Sequence, residues 1–328
     1  MNIPRFPVSR RLSALVRRSL LVLSAVLLSA CGGSEPEALP SDGENGSTDA
    51  SEQKVQRTYE RSFAFMAELG DSLLLVPWIM RNEARADSVT REAGGWLARG
   101  GEWEPFYHER WSTPGDRAPE RILPHRSLSL VVRDGGVVDG LLFQDGLRNL
   151  EILMGEVLAA WVGPNGETLD VMRGSAYLSD ERVDGRVVDV SRSWSAEGPP
   201  AGDWAFLISG DSVELALAGD VEHGLDRDPV YRGWAQIGAE DLVWPEVDLA
   251  WTDREGFPPA RRDVPTAWRI RSGDGSLTGT LESVSSETQA GEGPGPLLPV
   301  RALVEVSGEI TTVEGRFPVR GLLIHERR

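Results

Sequence analysis

Short stretches of alternating apolar and polar residues follow the first third of this chain, and they limit the folds open to it. The clearest case is 268–271, where Trp268 and Ile270 alternate with Arg269 and Arg271. Successive side chains of a strand point to opposite faces of a sheet, so this alternation predicts strands with one buried face. The pattern recurs at 127–133, 203–209 and 213–217.

Turn signals separate these stretches. Asn-Gly and Asp-Gly pairs supply the positive φ that tight hairpins require, and they occur at 165–166, 184–185 and 274–275. Many short strands joined by hairpins predict a mainly β fold, an antiparallel sandwich or barrel, over residues 101–328. One segment within it, 147–162, has apolar spacing that also fits a helix.

Residues 55–100 show a different period. Tyr59, Phe63 and Met66 recur at spacings of four and three, which predicts a short helical segment at the start of the folded domain. The run 73–80 is the most apolar stretch after the N-terminus, and Pro77 would break a helix there. The run is shorter than a membrane span, so we interpret it as a buried segment capping the core. A ligand-facing lid is the alternative.

The N-terminus predicts export and anchoring. Residues 1–30 hold five arginines and no acid, followed by an apolar run that ends in small residues, which is typical of a signal peptide. The sequence Leu28-Ser29-Ala30-Cys31 resembles a bacterial lipobox, in which the cysteine is acylated after cleavage. Several acyl chains hold a protein on a membrane almost permanently. Cys31 is the only cysteine, so we expect no disulfide and no catalytic thiol.

Residues 31–54 are rich in Gly, Ser, Pro and acidic residues and predict a flexible acidic tether behind the lipid. The whole chain carries 34 Lys and Arg against 51 Asp and Glu; without the five signal-peptide arginines the balance is 29 against 51, a net charge of −22. Such a surface excludes nucleic acid as a partner and is repelled by anionic headgroups. No aspartate follows Cys31, and by resemblance to lipoproteins of double-membraned bacteria this favours the outer membrane.

The sequence contains no catalytic motif. A Gly-x-Ser-x-Gly elbow and a His-Glu-x-x-His pair are both missing, and we expect neither a metal nor a cofactor. One acidic segment offers acid–base groups, because His223 lies beside Asp226 and Asp228. A solvated acidic loop is the alternative interpretation of that segment.

Aromatic residues crowd the segment that follows residue 95, and arginines and a histidine come after them. Tryptophans beside guanidinium groups bind planar, sugar or lipid ligands in many proteins. They serve equally well as a plug for the mouth of a barrel. The candidate ligand-binding residues are Trp96, Trp103, Tyr107, Trp111, Arg121 and His125.

The C-terminal part carries a family resemblance. A Trp-bearing strand at 265–270, a Val-x-Gly-Glu stretch at 306–309 and a closing segment from 313 to His325-Glu326 follow in order. This order resembles the end of the lipocalin-like proteins related to bacterial carotenoid hydratases and AttH-type proteins. The resemblance implies two lipocalin-like halves around an apolar cavity, and some members of that group hydrate an isoprenoid double bond.

Three functions are compatible with these observations. The first is a lipid-anchored outer-membrane protein that binds an apolar or amphipathic small molecule in a β-barrel or sandwich, without catalysis. The second is a hydratase- or hydrolase-like enzyme acting on a hydrophobic substrate. The third is an envelope scaffold or assembly subunit that engages an unidentified protein partner through its acidic surface or the run 73–80.

Overall fold

A computed structural model gives the fold as seventeen antiparallel strands in two sheets. It describes residues 55–134, 137–146, 148–163, 166–179, 181–195, 203–210, 212–219, 230–293 and 295–327. The predicted signal peptide 1–30, the tether 31–54 and Cys31 lie outside the described residues. The predicted fold class, a mainly β protein of antiparallel sandwich or barrel type, is confirmed.

The first half is an open sheet of nine strands in the order β4-β3-β2-β1-β9-β8-β7-β6-β5. Its strands are β1 (Arg57–Leu69), β2 (Ser72–Ala84), β3 (Ser88–Arg99), β4 (Glu102–Pro114), β5 (Leu128–Val132), β6 (Val138–Asp145), β7 (Arg148–Val162), β8 (Thr168–Leu178) and β9 (Glu181–Trp194). Side chains link the two ends of this sheet. The ring centroids of Phe106 on β4 and Phe143 on β6 lie 4.9 Å apart, and the Tyr107 hydroxyl donates to the carbonyl of His125, which lies just before β5.

The second half is a closed eight-stranded barrel in which each strand pairs with the next and β10 pairs with β17. Its strands are β10 (Trp204–Ser209), β11 (Val213–Gly219), β12 (Tyr231–Ile237), β13 (Glu240–Phe257), β14 (Arg262–Ser272), β15 (Thr278–Ala290), β16 (Val300–Thr312) and β17 (Gly315–Arg327). Closure leaves no free sheet edge in this half.

The prediction of a helical segment at 55–100 is wrong, because these residues form β1, β2 and β3. Both faces of β1 are buried, so Phe63, Ala64, Phe65 and Met66 form an unbroken apolar run instead of an alternation. Such a run contains helix-like spacings by chance and cannot be assigned from periodicity alone. The predicted domain boundary near residue 100 falls in the turn between β3 and β4.

The other ambiguous segments are strands as well. Residues 147–162 overlap β7, and the run 73–80 lies inside β2, where its side chains are buried as predicted. Pro77 is tolerated in this central strand because the β2–β3 register skips Val76 and Pro77 between the pairs Leu75–Ala98 and Trp78–Gly95. A proline has no N–H to donate to that ladder. In the described ranges, no helix has both the length and the hydropathy needed to cross a membrane.

Three apolar clusters hold the described chain together. The barrel core lies inside the barrel and includes Leu207, Trp268 and Leu323. The sheet core lies on one face of the nine-stranded sheet and includes Phe65 and Trp78. The interface core joins the opposite face of that sheet to the outside of the barrel, through residues such as Val188, Phe206 and Leu322.

Candidate functional site

A cleft of about 570 Å³ opens where the nine-stranded sheet meets the turn after β10. It lies beside the interface core, outside the barrel lumen, because Met66 and Ile208 belong both to its lining and to that core. The lining residues are Met66, Ala67, Glu68, Leu153, Met154, Gly155, Arg173, Gly174, Ser175, Arg182, Asp184, Gly185, Arg186, Ile208 and Gly210.

Glycines shape the wall of the cleft. Gly174 and Gly185 face each other directly across β8 and β9. A Cβ atom on Gly185 would lie 2.3 Å from the Met66 carbonyl oxygen, and one on Gly174 would lie 2.5 Å from Cγ2 of Val187. Only glycine lets the strands approach this closely. The sequence predicted a hairpin turn at Asp184-Gly185. That prediction is wrong, because the pair lies within β9.

The lining combines an apolar floor with arginines. Three arginines and two acidic residues contribute to it, in a protein whose net charge is −17. Arg173 and Arg182 are exposed, and their partners Glu156 and Asp184 are exposed too, at 3.6 Å and 2.9 Å. Exposed ion pairs of this kind contribute little stability, so both guanidinium groups can exchange their partner for an incoming anion. Arg186 is tied more firmly, at 2.6 Å from the buried Glu214 carboxylate.

A buried ion network joins the two halves at the other end of the interface core. Arg81 of β2 donates to Glu60 of β1 and to both carboxylate oxygens of Glu326 of β17, at 2.8 and 3.0 Å. Arg192 of β9 donates to Glu60, and Arg301 of β16 donates to Glu326 at 2.7 Å. All five side chains are largely shielded from solvent. The network therefore fixes the barrel against the sheet.

The electrostatics of this network favour its charged form. Burial opposes ionisation of Glu326, but the positive charges of Arg81, Arg301 and Arg192 outweigh that effect and lower its pKa to about 2. Glu92 lies at the edge of the network. A hydrogen bond from His108, together with the positive charges of Arg301 and Arg81, outweighs the effect of burial and lowers the pKa of Glu92 to about 2. The same hydrogen bond raises the pKa of His108.

The predicted aromatic candidates do not line the cleft, and the structure divides them between two faces of the sheet. Trp96 is part of the interface core, and Trp103 packs against that core and donates its indole N–H to Ser285 at 3.0 Å. Tyr107 belongs to the sheet core, and Trp111 packs against it and stacks on His125 with ring centroids 4.2 Å apart.

Arg121 takes part in a different interaction. Its backbone carbonyl accepts hydrogen bonds from the side chains of Arg91 and Asn82, which pins the segment between β4 and β5 onto the sheet. Of the six candidates, the structure thus brings together Tyr107, Trp111 and His125, through the Tyr107 hydroxyl and the Trp111 ring.

The predicted acid–base residues His223, Asp226 and Asp228 lie outside the described residues. In the part of the chain that the structure does describe, no group of three or more His, Cys, Asp and Glu side chains is arranged to hold a metal ion. The cleft arginines were missed at the sequence level. The one signal that marks them is the pair of glycines beside them, Gly174 next to Arg173 and Gly185 next to Arg186.

No family model and no curated protein sequence matches this chain. Solved structures do match. A candidate AttH protein from Nitrosomonas europaea aligns with a TM-score of 0.59 at 12% identity, over 82% of this chain and 92% of that one. Kievitone hydratase from Nectria haematococca aligns with a TM-score of 0.50 at 13% identity, over 82% of this chain and 88% of that one. At these identities the likeness shows a shared fold alone.

Proposed function

We propose that this chain binds a small amphipathic molecule with an anionic head group in the cleft between sheet and barrel, without catalysis. The observation that carries the proposal is the lining itself, in which Met66, Leu153 and Ile208 lie beside the exposed arginines Arg173 and Arg182. The cleft volume of about 570 Å³ is within the range of small-molecule sites.

Both parts of the lining contribute to binding. An apolar tail on the floor gains about 25 cal/mol per Å² of apolar surface removed from water. A carboxylate or phosphate at the rim meets arginine guanidinium groups, whose planar fork matches these anions with two parallel hydrogen bonds. The head group therefore selects anionic over neutral amphiphiles, and the tail adds to the affinity.

The N-terminal sequence supports a cellular location for this binding activity, at the outer membrane. We propose that acylated Cys31 anchors the chain in the outer membrane and that residues 31–54 form a tether. A coil of that length reaches roughly 25 to 30 Å, enough to hold an acidic domain clear of anionic headgroups.

The scaffold alternative loses one of its two candidate surfaces and keeps the acidic one. The run 73–80 lies within β2 with every side chain buried, so it offers no exposed apolar patch for a partner. A scaffold role would have to use another surface of the domain.

Fluorescence titration with dansyl-labelled undecanoic acid tests the proposed function. We expect saturable binding to the full chain in detergent and about tenfold weaker binding by the double variant Arg173→Gln, Arg182→Gln, because a hydrogen bond to a charged group contributes about 1.5 kcal/mol or more. The matched control is Arg148→Gln, since Arg148 is an exposed arginine of β7 outside the cleft. Equal affinity of the double variant and the wild type, or no binding to either, would overturn the proposal.

A further inference from the structure

A second polar group lies inside the barrel, apart from the cleft. Asp203 immediately precedes β10, and its Oδ1 lies 2.9 Å from Nδ1 of His325 on β17. Both side chains are almost completely buried, at 3% and 2% exposure. His325 shares the inward face of β17 with Leu323 of the barrel core, so its ring points into the lumen. The cleft lies at the opposite end of β10, beside Gly210.

Other polar aromatic side chains face the same lumen. Tyr231 of β12 belongs to the barrel core, where burial and the Asp203 carboxylate raise the pKa of its hydroxyl well above 10. Trp251 of β13 contacts His325 edge to face, with ring centroids 5.2 Å apart. Trp268 of β14 is the cross-strand partner of Trp251 and is fully buried.

Three buried polar atoms in this lumen have no hydrogen-bond partner among the described residues: Nε2 of His325, Nε1 of Trp268 and Oδ2 of Asp203. Buried polar atoms in native proteins are nearly always paired, and an exception calls for an explanation such as a bound molecule. A carboxylate only accepts hydrogen bonds, so the Asp203–His325 contact places the imidazole proton on Nδ1. In that tautomer Nε2 of His325 is an acceptor, while Nε1–H of Trp268 is a donor.

We propose that this end of the barrel lumen binds the hydroxyl group of an otherwise apolar small molecule. A hydroxyl group provides one donor and two acceptor positions, so it is complementary to an acceptor such as His325 Nε2 and a donor such as Trp268 Nε1–H. A carboxylate has no proton for Nε2, and a hydrocarbon satisfies neither atom. Asp203 acts as a positioning residue, because it fixes the tautomer and the orientation of the imidazole.

Calorimetric titration with decan-1-ol and with decane, each in the same detergent, tests the proposal on the full chain. The two probes have the same apolar skeleton and differ in the hydroxyl group. We expect the wild type to bind decan-1-ol at least tenfold more tightly than decane. His325→Phe keeps an aromatic ring but removes Nε2, and it should abolish that preference. His108→Gln is the matched control, since His108 is an exposed histidine of β4.

A second measurement, made on the wild type, tests the proposal even if the His325→Phe variant fails to fold. In the wild type labelled with ¹⁵N-histidine, decan-1-ol should shift the His325 Nε2 resonance, whereas decane should leave it in place. In Asp203→Asn the preference for decan-1-ol should fall several-fold. Equal affinity for the two probes, no binding of either, or an unmoved His325 resonance would overturn the proposal and leave a purely structural Asp–His pair. Because the probes are uncharged, failure here is distinguishable from failure of the anion-binding cleft.

Discussion

Replacing Glu326 by glutamine isolates the electrostatic link between the two halves. The substitution keeps the shape of the side chain and removes one negative charge that faces Arg81, Arg192 and Arg301. Breaking a buried ion pair by removing one partner costs about 3–5 kcal/mol, because the remaining charge stays buried without compensation. We therefore expect Glu326→Gln to lower the free energy of unfolding at pH 7 by about that amount.

The pH dependence gives a second, independent signature. The folded-state pKa of Glu326 is lowered to about 2 from 4.5. A depressed carboxyl pKa contributes stability above the unfolded value, and this contribution disappears as pH falls from about 4.5 towards 2. A difference of this size corresponds to about 3 kcal/mol. The gap in stability between wild type and Glu326→Gln should therefore narrow across that window.

Urea unfolding followed by tryptophan fluorescence at several pH values measures both effects. Glu309→Gln is the control, because Glu309 forms an exposed ion pair with Arg316 on neighbouring strands of the same barrel. Exposed pairs contribute about 1 kcal/mol or less, so this variant should unfold almost like the wild type. A cost below about 1 kcal/mol for Glu326→Gln at pH 7, or a gap that stays constant down to pH 2, would refute the assignment of a stabilising buried network.

Three further variants test other parts of the description. Cys31→Ser should move the protein from the membrane fraction to the soluble periplasmic fraction, and continued membrane association after a carbonate wash would contradict lipid anchoring. Gly185→Ala should destabilise the sheet by about 1–3 kcal/mol, because the new Cβ would meet the Met66 carbonyl oxygen at 2.3 Å; urea midpoints measure this, with Gly256→Ala on an exposed part of β13 as comparison, since a Cβ there would come no closer than 3.9 Å to the Asp263 carboxylate. Arg91→Met should free the segment between β4 and β5 from its hydrogen bonds to Arg91 and expose it to trypsin, and an unchanged digestion rate would contradict that role.

Sequence patterns predicted β14 correctly because one of its faces meets water. Trp268 and Ile270 point into the barrel while Arg269 and Arg271 are exposed, and the alternation marks β14 correctly. The same reasoning failed for β1 and β2, because one face of each packs in the sheet core and the other in the interface core. A strand buried on both faces has no polar face, so its sequence carries no period of two.

The candidate sites depend on contacts that no local pattern records. Glu60 and Glu326 are brought onto Arg81 by the packing of the barrel on the sheet, and 245 residues separate Arg81 from Glu326. Asp203 and His325 meet only because β10 pairs with β17 to close the barrel. Asp184-Gly185 resembles a turn because that pair favours positive φ. In the structure Gly185 instead allows β9 to approach β1 closely.

The network and the cleft lie at opposite ends of one packed surface, and this placement links stability to binding. The β1–β9 register sets Glu60 opposite Arg192 at the network end and Met66 opposite Arg186 at the cleft end. On the barrel, Glu326 lies near the first end, while Arg320 pairs with Glu68 of the cleft lining at 3.5 Å. The interface core fills the space between, and close-packed interiors transmit small displacements. We therefore expect that a barrel shifted on the sheet by loss of the network would also change the width of the cleft.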